Sequence, residues 1–343
     1  MSSRLVQSTA LRALAVDHGS QSLAWGRRAA QIVASAGADA CASPTPRREG
    51  QRSRAENAVE IRRRGALMKA FNDRIVVITG AGSGIGRATA HAFAREGAKL
   101  HLVDMARGRV EEVAGELRLM GAEAHAHCVD IRDADAMEAL AETVYREHDR
   151  TDVLVNNAGV GHSAMVHETP LSDWKWVLDT NLWGVIHGLH AFVPRMIDQG
   201  GDAHIVNTAS LAGLMGLPSM GPYCTSKFAV VGLSESLGTE LAPYGIGVTA
   251  ICPGIIDTDI IRAGKMEGST AASKTKVAAF YRRRGIPPER VARDILRAIR
   301  IRRPVQLTAG SVYPALWLKR LSPRLFQGAV RLLHTRVIGG RRP

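Results

Sequence analysis

The chain is poor in cysteine, and no two of its cysteines stand close together. Only Cys41, Cys128, Cys224 and Cys252 occur in 343 residues, and none forms a C-x-x-C pair. Disulfide frameworks and thiolate zinc sites are built from closely spaced cysteines. The sequence therefore argues against both and fits a reducing compartment, where thiols stay free.

Long apolar runs are also missing. A helix that spans a bilayer needs about 20 consecutive apolar residues, and the sequence holds no such run. The N-terminal stretch lacks the apolar core of a secretory signal. We expect a cytoplasmic protein, with association to a membrane surface left open.

Lysine is absent from residues 1–67 and acidic residues are scarce in residues 281–343, so charge is unevenly spread. The first block carries 11 arginines against 5 acidic groups, and the last carries 16 cations against 2. Residues 68–280 hold 18 basic and 25 acidic groups. The net charge of +13 therefore lies in the ends, whereas a nucleic-acid enzyme carries such charge on its working surface. We expect no nucleic-acid partner.

The first 67 residues show no sustained apolar period and are rich in Ala, Arg, Ser and Gly. We expect a disordered leader, or upstream sequence outside the native protein, because Met68 stands just ahead of the first strand. A transit peptide is the alternative, although such peptides avoid the acidic residues that are present here.

Beyond this leader, short apolar runs alternate with amphipathic stretches. Strands are predicted at 75–79, 100–103, 124–129, 153–155, 204–208, 247–251 and 304–308, and helices at 86–96, 109–120, 133–147, 181–196, 222–242 and 288–301. Such alternation is typical of βαβ units with right-handed connections. We predict an α/β fold, a Rossmann-type doubly wound parallel sheet in a single catalytic domain at 68–310, with extensions at both ends.

Residues 255–286 interrupt this rhythm with a long, weakly patterned segment that contains Gly, Ser and Thr. Loops of this length in a compact domain are often lids. The segment follows the carboxyl end of a strand, where ligands bind in open α/β sheets. We therefore expect it to close over a substrate.

A glycine-rich loop, Thr79-Gly-Ala-Gly-Ser-Gly-Ile-Gly86, closes the first strand and opens the first helix. Gly80 permits a tight turn, Gly84 lets the backbone approach a pyrophosphate, and Gly86 permits close packing of the helix on the strand. The amides at the helix N-terminus can then bind phosphate. The loop predicts a dinucleotide site.

Asp104 ends the next predicted strand. A carboxylate at this place hydrogen-bonds the adenosine ribose and repels a 2′-phosphate. The sequence therefore predicts NAD(H) as the cofactor. NADP(H) is the alternative if the nearby Arg107 or Arg109 offsets the carboxylate.

Tyr223 and Lys227 stand four residues apart, which is one turn on one face of a helix. The lysine ammonium is expected to stabilise a phenolate and lower the tyrosine pKa from about 10. Ser210 follows the strand at 204–208 and is expected to meet the tyrosine in the folded sheet. A proton donor and acceptor beside a dinucleotide suits hydride transfer at a carbinol carbon.

With these motifs in order, the chain resembles the short-chain dehydrogenase/reductase family, in its common subgroup. The resemblance runs from about Asn72 to about Thr308. Its motifs are the loop at 79–86, Asp130, Asn156-Asn-Ala-Gly159, Asn181, Ser210, Tyr223 with Lys227, and Pro253-Gly254 with Thr258.

The resemblance implies four catalytic residues. Ser210 would hydrogen-bond the substrate oxygen, and Tyr223 would be the general acid and base. Lys227 would bind the nicotinamide ribose, and Asn181 would hold a water of a proton relay. The resemblance also implies a homodimer or homotetramer through the helices at 181–196 and 222–242.

The implied cofactor-binding residues follow the chain from the glycine loop onward. They are Gly80, Ser83, Gly84, Ile85, Gly86, Asp104, Asp130, Ile131, Asn157, Ala158, Gly159, Tyr223, Lys227, Pro253, Gly254, Ile256 and Thr258. Within this set Asp130 and the Ile131 amide would bind adenine, Asn157 would brace the central strand, and Thr258 would orient the nicotinamide.

Other candidate sites fail their pattern tests. The histidines show no metal-ligand spacing, so we expect no metal. Ser210 lacks the G-x-S-x-G context of a serine hydrolase. Cys224 is expected to be a small helix residue rather than a nucleophile, and Trp174, Trp176 and Trp183 are expected to pack between helices.

The substrate is the least determined feature. Residues 211–218 are apolar and would line a pocket, while residues 311–343 form a basic tail with interleaved Leu, Trp and Phe. Such a tail is typical of an interfacial helix on anionic lipid, with packing on the protein's own surface as the alternative. Together they predict a lipophilic secondary alcohol or ketone, such as a lipid, sterol or acyl compound. The rival functions are an NADPH-dependent carbonyl reductase and a non-catalytic dinucleotide sensor on a membrane surface.

Overall fold

The structure, a computed structural model, describes Met68, residues 70–258, Ile260, residues 264–308 and residues 313–337. The expected leader at 1–67 lies outside the described residues.

Seven parallel strands form the central sheet, in the order β3-β2-β1-β4-β6-β7-β9. They are β1 (Ile75–Thr79), β2 (Lys99–Asp104), β3 (Ala124–Cys128), β4 (Val153–Asn156), β6 (Ala203–Thr208), β7 (Ile246–Pro253) and β9 (Val305–Thr308). Two short strands, β5 (His162–Ser163) and β8 (Lys265–Met266), form a separate parallel pair. The predicted doubly wound sheet is confirmed, and its strand order reverses between β1 and β4, where ligands bind in such sheets.

Ten helices are described along the chain. They are α1 (Gly84–Arg95), α2 (Arg107–Leu119), α3 (Ala134–His148), α4 (Leu171–Leu178), α5 (Gly184–Gln199), α6 (Gly221–Leu241), α7 (Lys274–Arg284), α8 (Pro288–Arg300), α9 (Tyr313–Leu321) and α10 (Pro323–Val337). A π-helical turn at Asp179–Trp183 joins α4 to α5.

The apolar core lies on both faces of the sheet. On β1, Val76 and Ile78 belong to the core cluster that contains α1, α2 and α8, whereas Ile75 and Val77 belong to the cluster with α3, α5 and α6. All five residues of β1 are buried, because a parallel sheet is covered by helices on each side. Successive side chains of a strand point to opposite faces, so one apolar run serves both cores.

Two parts of the predicted helix pattern differ from the structure. The helix expected from Asn181 is preceded by α4 and the π-turn, so Asn181 lies inside a distorted helix rather than at its start. The predicted lid at 255–286 contains α7, which has no buried residue. Because its sequence is dominated by charged residues, α7 shows little apolar periodicity.

Candidate active site

A cleft of about 890 Å³ opens at the carboxyl ends of the strands. Every residue predicted for catalysis or cofactor binding lines it, except Gly86 and Asn181. The residues that sequence analysis drew from widely separated motifs therefore meet at one place in the fold.

The glycine loop has the conformation that its residues were predicted to need. Gly80 has φ +64°, and a Cβ there would lie 2.8 Å from Ala158 Cα. Gly84 has φ +52° and faces Thr258 across the cleft, while a Cβ at Gly86 would lie 2.1 Å from the Gly80 carbonyl oxygen. Gly86 therefore lies behind the loop and lets α1 pack against β1, which leaves the amides at the start of α1 facing the cleft.

Asp104 holds the loop from the neighbouring strand. Its carboxylate accepts hydrogen bonds from the backbone amides of Gly82 and Ala106, both at 3.0 Å. Arg107 lies on the surface and pairs with Glu111 at 3.4 Å. Arg109 lines the cleft together with Asp104. The carboxylate is thus held at the cleft wall, and Arg107 does not line the cleft.

Asp130 faces the cleft beside an arginine that the sequence analysis did not single out. The Arg132 guanidinium contacts both carboxylate oxygens, with Nη2 2.5 Å from Oδ2. The hydrogen bonds of Arg132 hold the pKa of Asp130 below its ordinary value. Asp130 is therefore an anion that is already partnered.

Asn157 joins β4 to β1. Its side-chain amide donates to the carbonyl oxygens of Thr79 at 3.0 Å and Gly80 at 3.3 Å. Its backbone amide donates to the Thr79 hydroxyl at 2.9 Å. These contacts join the end of β4 to the strand end that carries the glycine loop, and the bracing role of Asn157 stays a prediction.

Tyr223 and Lys227 lie on the first turns of α6, buried at the floor of the cleft. The Lys227 Nζ is 5.8 Å from the centre of the Tyr223 ring and donates to the Thr208 carbonyl at 2.8 Å. Ser210 stands just beyond Thr208 at the end of β6, and its hydroxyl accepts from the Ala212 amide at 3.1 Å. The serine, tyrosine and lysine therefore converge as predicted.

The predicted lowering of the tyrosine pKa is wrong for this geometry. Burial raises the pKa of Tyr223 to about 12, although a hydrogen bond with Ser210 acts in the opposite direction. Burial also lowers the pKa of Lys227 to about 8. Removing both groups from water disfavours their charged forms. Lys227 also donates its hydrogen bond to the Thr208 carbonyl rather than to Tyr223.

Asn181 lies within the π-turn and is fully buried. Its side chain accepts from the Val160 amide at 2.7 Å and donates to the Val160 carbonyl at 2.9 Å. A Cβ on Gly159 would lie 3.0 Å from Asn181 Oδ1 and 3.5 Å from Lys227 Nζ. The glycine thus leaves Asn181 and Lys227 facing one small space, while the proton relay itself stays a prediction.

Residues of the predicted lid other than the expected Ile256 and Thr258 also line the cleft. Thr270, Ser273, Val277 and Tyr281 all face it. Tyr281 is half-buried, and its partial removal from water raises the pKa of its hydroxyl. The only sequence signal was an interrupted strand–helix rhythm, which locates a segment but not its contacts.

Cys224 takes no part in this chemistry. It is buried, its sulfur accepts from the Leu217 amide at 3.4 Å, and burial raises the pKa of its thiol. A thiol is a poor nucleophile in that form. Trp176 does line the cleft, where Lys265 Nζ lies 4.8 Å from its ring centre, and Trp183 is half exposed.

Residues 74–267 match the family model described as short chain dehydrogenase. The chain is 38% identical over 268 residues to a Mycobacterium tuberculosis protein named probable oxidoreductase EphD, which covers 76% of this chain and 45% of that relative. It is 34% identical over 241 residues to the C alpha-dehydrogenase of Sphingobium sp., which covers 68% of this chain and 79% of the relative. The chain therefore spans less than half the length of the mycobacterial relative.

Solved structures show the same architecture. A short chain dehydrogenase/reductase from Burkholderia phymatum in complex with NAD superposes with a TM-score of 0.72 at 35% identity, covering 75% of this chain and 96% of that one. The apo form of LigD from Sphingobium sp. gives a TM-score of 0.61 at 28% identity, covering 80% and 99%.

Proposed function

The chain belongs to the short chain dehydrogenase family, and on that premise we propose that it interconverts a lipophilic secondary alcohol and its ketone with NAD(H). The observation that carries the proposal is the convergence of Ser210, Tyr223 and Lys227 at the floor of a cleft whose wall is the glycine loop. Family membership supports an oxidoreductase with a nicotinamide dinucleotide. The choice of NAD(H) over NADP(H) and the lipophilic substrate go beyond family membership and are what we propose.

The loop fits a dinucleotide. Side chains at Gly80 or Gly84 would fill the space against Ala158 and Thr258, so the glycines keep a path open to the amides of α1. Those amides and the positive end of the helix dipole would hold the pyrophosphate. Asp104 would hold the adenosine ribose. When bound, the nicotinamide supplies the hydride acceptor or donor.

The protein's part in the reaction is to hold the oxygen and move its proton. With a pKa of about 12, the Tyr223 hydroxyl is protonated at neutral pH and can donate to a ketone oxygen. In the other direction the tyrosine must act as a phenolate to accept the alcohol's proton, and a neighbouring ammonium favours that charged form. Lys227, with a pKa of about 8, is largely charged at pH 7 and can supply that field. Ser210 would hydrogen-bond the same substrate oxygen.

The choice of NAD(H) rests on the wall around Asp104. A 2′-phosphate at the cleft wall would meet a carboxylate that two backbone amides hold in place. Arg107, the residue proposed to offset it, pairs with Glu111 instead. Arg109 supports the rival cofactor, because it lines the cleft.

The lipophilic substrate is supported by the cleft wall and by the tail. Beyond Ser210, apolar residues line the cleft, among them Leu211, Leu217 and Met220. On α9, Lys319 Nζ donates to the Leu214 carbonyl at 2.6 Å and lies 4.9 Å from the centre of the Phe228 ring. The tail therefore contacts the segment that follows the catalytic serine.

The outer surface of the tail favours an anionic membrane as the source of substrate. Trp317, Leu321 and Leu325 are exposed, and residues 313–343 carry cations but no acidic residue. Exposed apolar side chains among cations bind the boundary of an anionic bilayer. Among the described residues, no helix is long and apolar enough to cross a membrane, so the contact we propose is peripheral.

Assembly into a homodimer or homotetramer through α5 and α6 belongs to the same proposal. Trp183 lies in the π-turn just before α5 and Phe228 lies on α6. Both are large apolar side chains that are about half exposed. Light scattering after gel filtration tests it, and a monomeric mass would contradict it.

Two measurements test the function. Fluorescence titrations with NADH and NADPH measure the dissociation constants, and tight NADH with weak NADPH binding is expected. Turnover with NAD is then measured for secondary alcohols of increasing chain length, and kcat/KM is expected to rise with length. If neither NADH nor NADPH binds, the enzyme proposal is overturned. A preference for NADPH would favour the rival carbonyl reductase.

A further inference from the structure

Four side chains that no catalytic role explains meet beneath the end of α3. His101 lies on β2, His125 is its register partner on β3, and Glu147 and His148 form the last turn of α3. One ligand atom from each lies within 4.8 Å of the others. We call these four residues the histidine cluster. None of them lines the cleft.

Three ring nitrogens of the histidine cluster are buried and make no hydrogen bond of ordinary geometry. The Nε2 atoms of His101, His125 and His148 have no hydrogen-bond partner among the residues that the structure describes. The His101 side chain is fully buried, and its ring stacks on that of His125 with centres 4.9 Å apart. Buried polar atoms are nearly always satisfied. Three buried nitrogens without a hydrogen bond at one place therefore point to a ligand that accepts their lone pairs.

Negative charge lies beside the rings of the histidine cluster. Glu147 and the carbonyl end of α3 add negative charge, which favours a cation there.

A further histidine orients the buried one. His101 Nδ1 lies 2.9 Å from His127 Nε2, so one ring donates to the other. If the proton is on His101 Nδ1, its Nε2 presents a lone pair to the cluster. Metal-bound histidines almost always donate their second nitrogen in this way. Glu123 also lies near. Its Oε2 pairs with Lys99 at 3.0 Å, while its Oε1 lies 3.5 Å from His125 Nε2 and 3.8 Å from His148 Nε2.

We propose that the histidine cluster binds one zinc ion. The ligands are one ring nitrogen each from His101, His125 and His148 and one carboxylate oxygen from Glu147. Ligands at about 2.1 Å around tetrahedral zinc lie roughly 3.4 Å apart, so the ligand atoms must approach one another by about an ångström. His125 and Glu147 are partly exposed, which gives them room to move and gives the ion a path from solvent.

Four protein ligands leave no open position, which is the pattern of a structural zinc site. The ion would fasten β3, the edge strand of the sheet, to the end of α3. The site is independent of the catalytic proposal, because the cluster lies outside the cleft.

Calorimetric titration of Zn²⁺ into tag-free, chelator-treated full-length protein tests the site. One ion per chain is expected in this cluster. His125→Gln and His148→Gln should each weaken binding at this site at least tenfold, while His190→Gln, an exposed histidine elsewhere, should leave it unchanged. NADH titration of each variant checks that it is folded. Glu147→Gln, at a partly exposed position, provides a milder test if the histidine variants do not fold.

Two further readouts identify the ligand geometry. Co²⁺ should give the intense visible absorption of a tetrahedral site in the wild-type protein and in His190→Gln, but not in His148→Gln. Zn²⁺ should raise the melting temperature of the wild-type protein, and Mg²⁺ should not. Zinc binding of equal strength in the wild-type protein, His125→Gln, His148→Gln and Glu147→Gln would overturn the proposal, as would an octahedral cobalt spectrum.

Discussion

Lys265 and Asp173 form an ion pair that joins the predicted lid to the body of the protein, with Nζ 2.5 Å from Oδ1. The second carboxylate oxygen of Asp173 lies 3.1 Å from Nε2 of the buried His162. Lys265 belongs to β8 and His162 to β5, so the pair reinforces the strand contact between the two segments. One buried carboxylate therefore joins the predicted lid to the strand that carries His162.

Replacing Lys265 by Met should loosen the lid. Asp173 would remain buried with one partner fewer, and we expect a loss of about 1–2 kcal/mol in the free energy of unfolding because the lysine is partly exposed. The KM for substrate should rise more than the dissociation constant of NADH. Lys276→Met, an exposed lysine on α7, is the matched control. Equal KM values in the two variants would contradict the idea that the Lys265–Asp173 ion pair holds the lid in place.

The same ion pair predicts that the protein loses stability at acid pH. Burial acts to raise the pKa of Asp173, but hydrogen bonds from Lys265 and His162 hold it below its ordinary value. A carboxyl whose pKa is depressed by folding contributes stability above its unfolded pKa and loses it as pH falls. The wild-type protein should therefore exceed Asp173→Asn in free energy of unfolding by a constant amount above about pH 5, and this difference should decline below about pH 4. Urea unfolding across this range measures it, and a constant difference would argue against the linkage.

Replacing Tyr223 by Phe should abolish proton transfer while preserving the cleft. We expect kcat to fall roughly 10²- to 10⁴-fold, with NADH affinity changed by less than threefold. Tyr244→Phe, an exposed tyrosine outside the cleft, should behave like the wild-type protein. Turnover of Tyr223→Phe within tenfold of wild type would mean that another group moves the proton.

Lys227 should make stability depend on alkaline pH. Burial lowers its pKa from 10.5 to about 8. Below pH 8 the charged amine disfavours folding, and between pH 8 and 10.5 the unfolded state binds more protons, so stability rises with pH. The full effect is of order 3 kcal/mol. Urea titrations measure the difference in unfolding free energy between the wild-type protein and Lys227→Met. This difference should increase between pH 7.5 and 9.5, and a difference that does not change with pH would refute the prediction.

Asp104→Asn should shift cofactor preference. The amide keeps an oxygen for one backbone contact but removes the charge that opposes a 2′-phosphate. The ratio of NADPH to NADH dissociation constants should fall at least tenfold. Glu112→Gln, on the exposed face of α2, should leave the ratio unchanged. A ratio unaffected by Asp104→Asn would indicate that Arg109 sets the preference.

Removing residues 313–343 should abolish binding to vesicles that contain phosphatidylserine, since the exposed tryptophan, leucines and cations go with them. Wild-type binding should weaken as salt is raised and should be lost on neutral vesicles. Co-sedimentation measures both. Unchanged binding of the truncated protein would remove the membrane from the proposal.

Sequence reasoning located the cleft because its signals are local. The turn at Gly80, the helix start at Gly84 and the one-turn spacing of Tyr223 and Lys227 are each set within a few residues. The sheet then brings them together through a connectivity that the alternation of strands and helices already implies.

The histidine cluster and the lid contacts were missed because they depend on register. His101 and His125 become neighbours only through the pairing of β2 with β3, and no linear spacing encodes it. The tyrosine pKa was misjudged for a related reason. Helical spacing places Lys227 near Tyr223, but burial determines which charge state each group favours.

The parallel sheet also has a kinetic consequence. At its centre, the Ile75 amide bonds the Asp152 carboxylate across 77 positions of sequence, and no hairpin joins neighbouring strands. Closing such long loops costs entropy before any contact offsets it, so folds of this topology form slowly. We expect refolding to be limited by the meeting of β1 and β4, with β3 joining late. A chain released from the ribosome would expose unpaired strand edges until that meeting occurs.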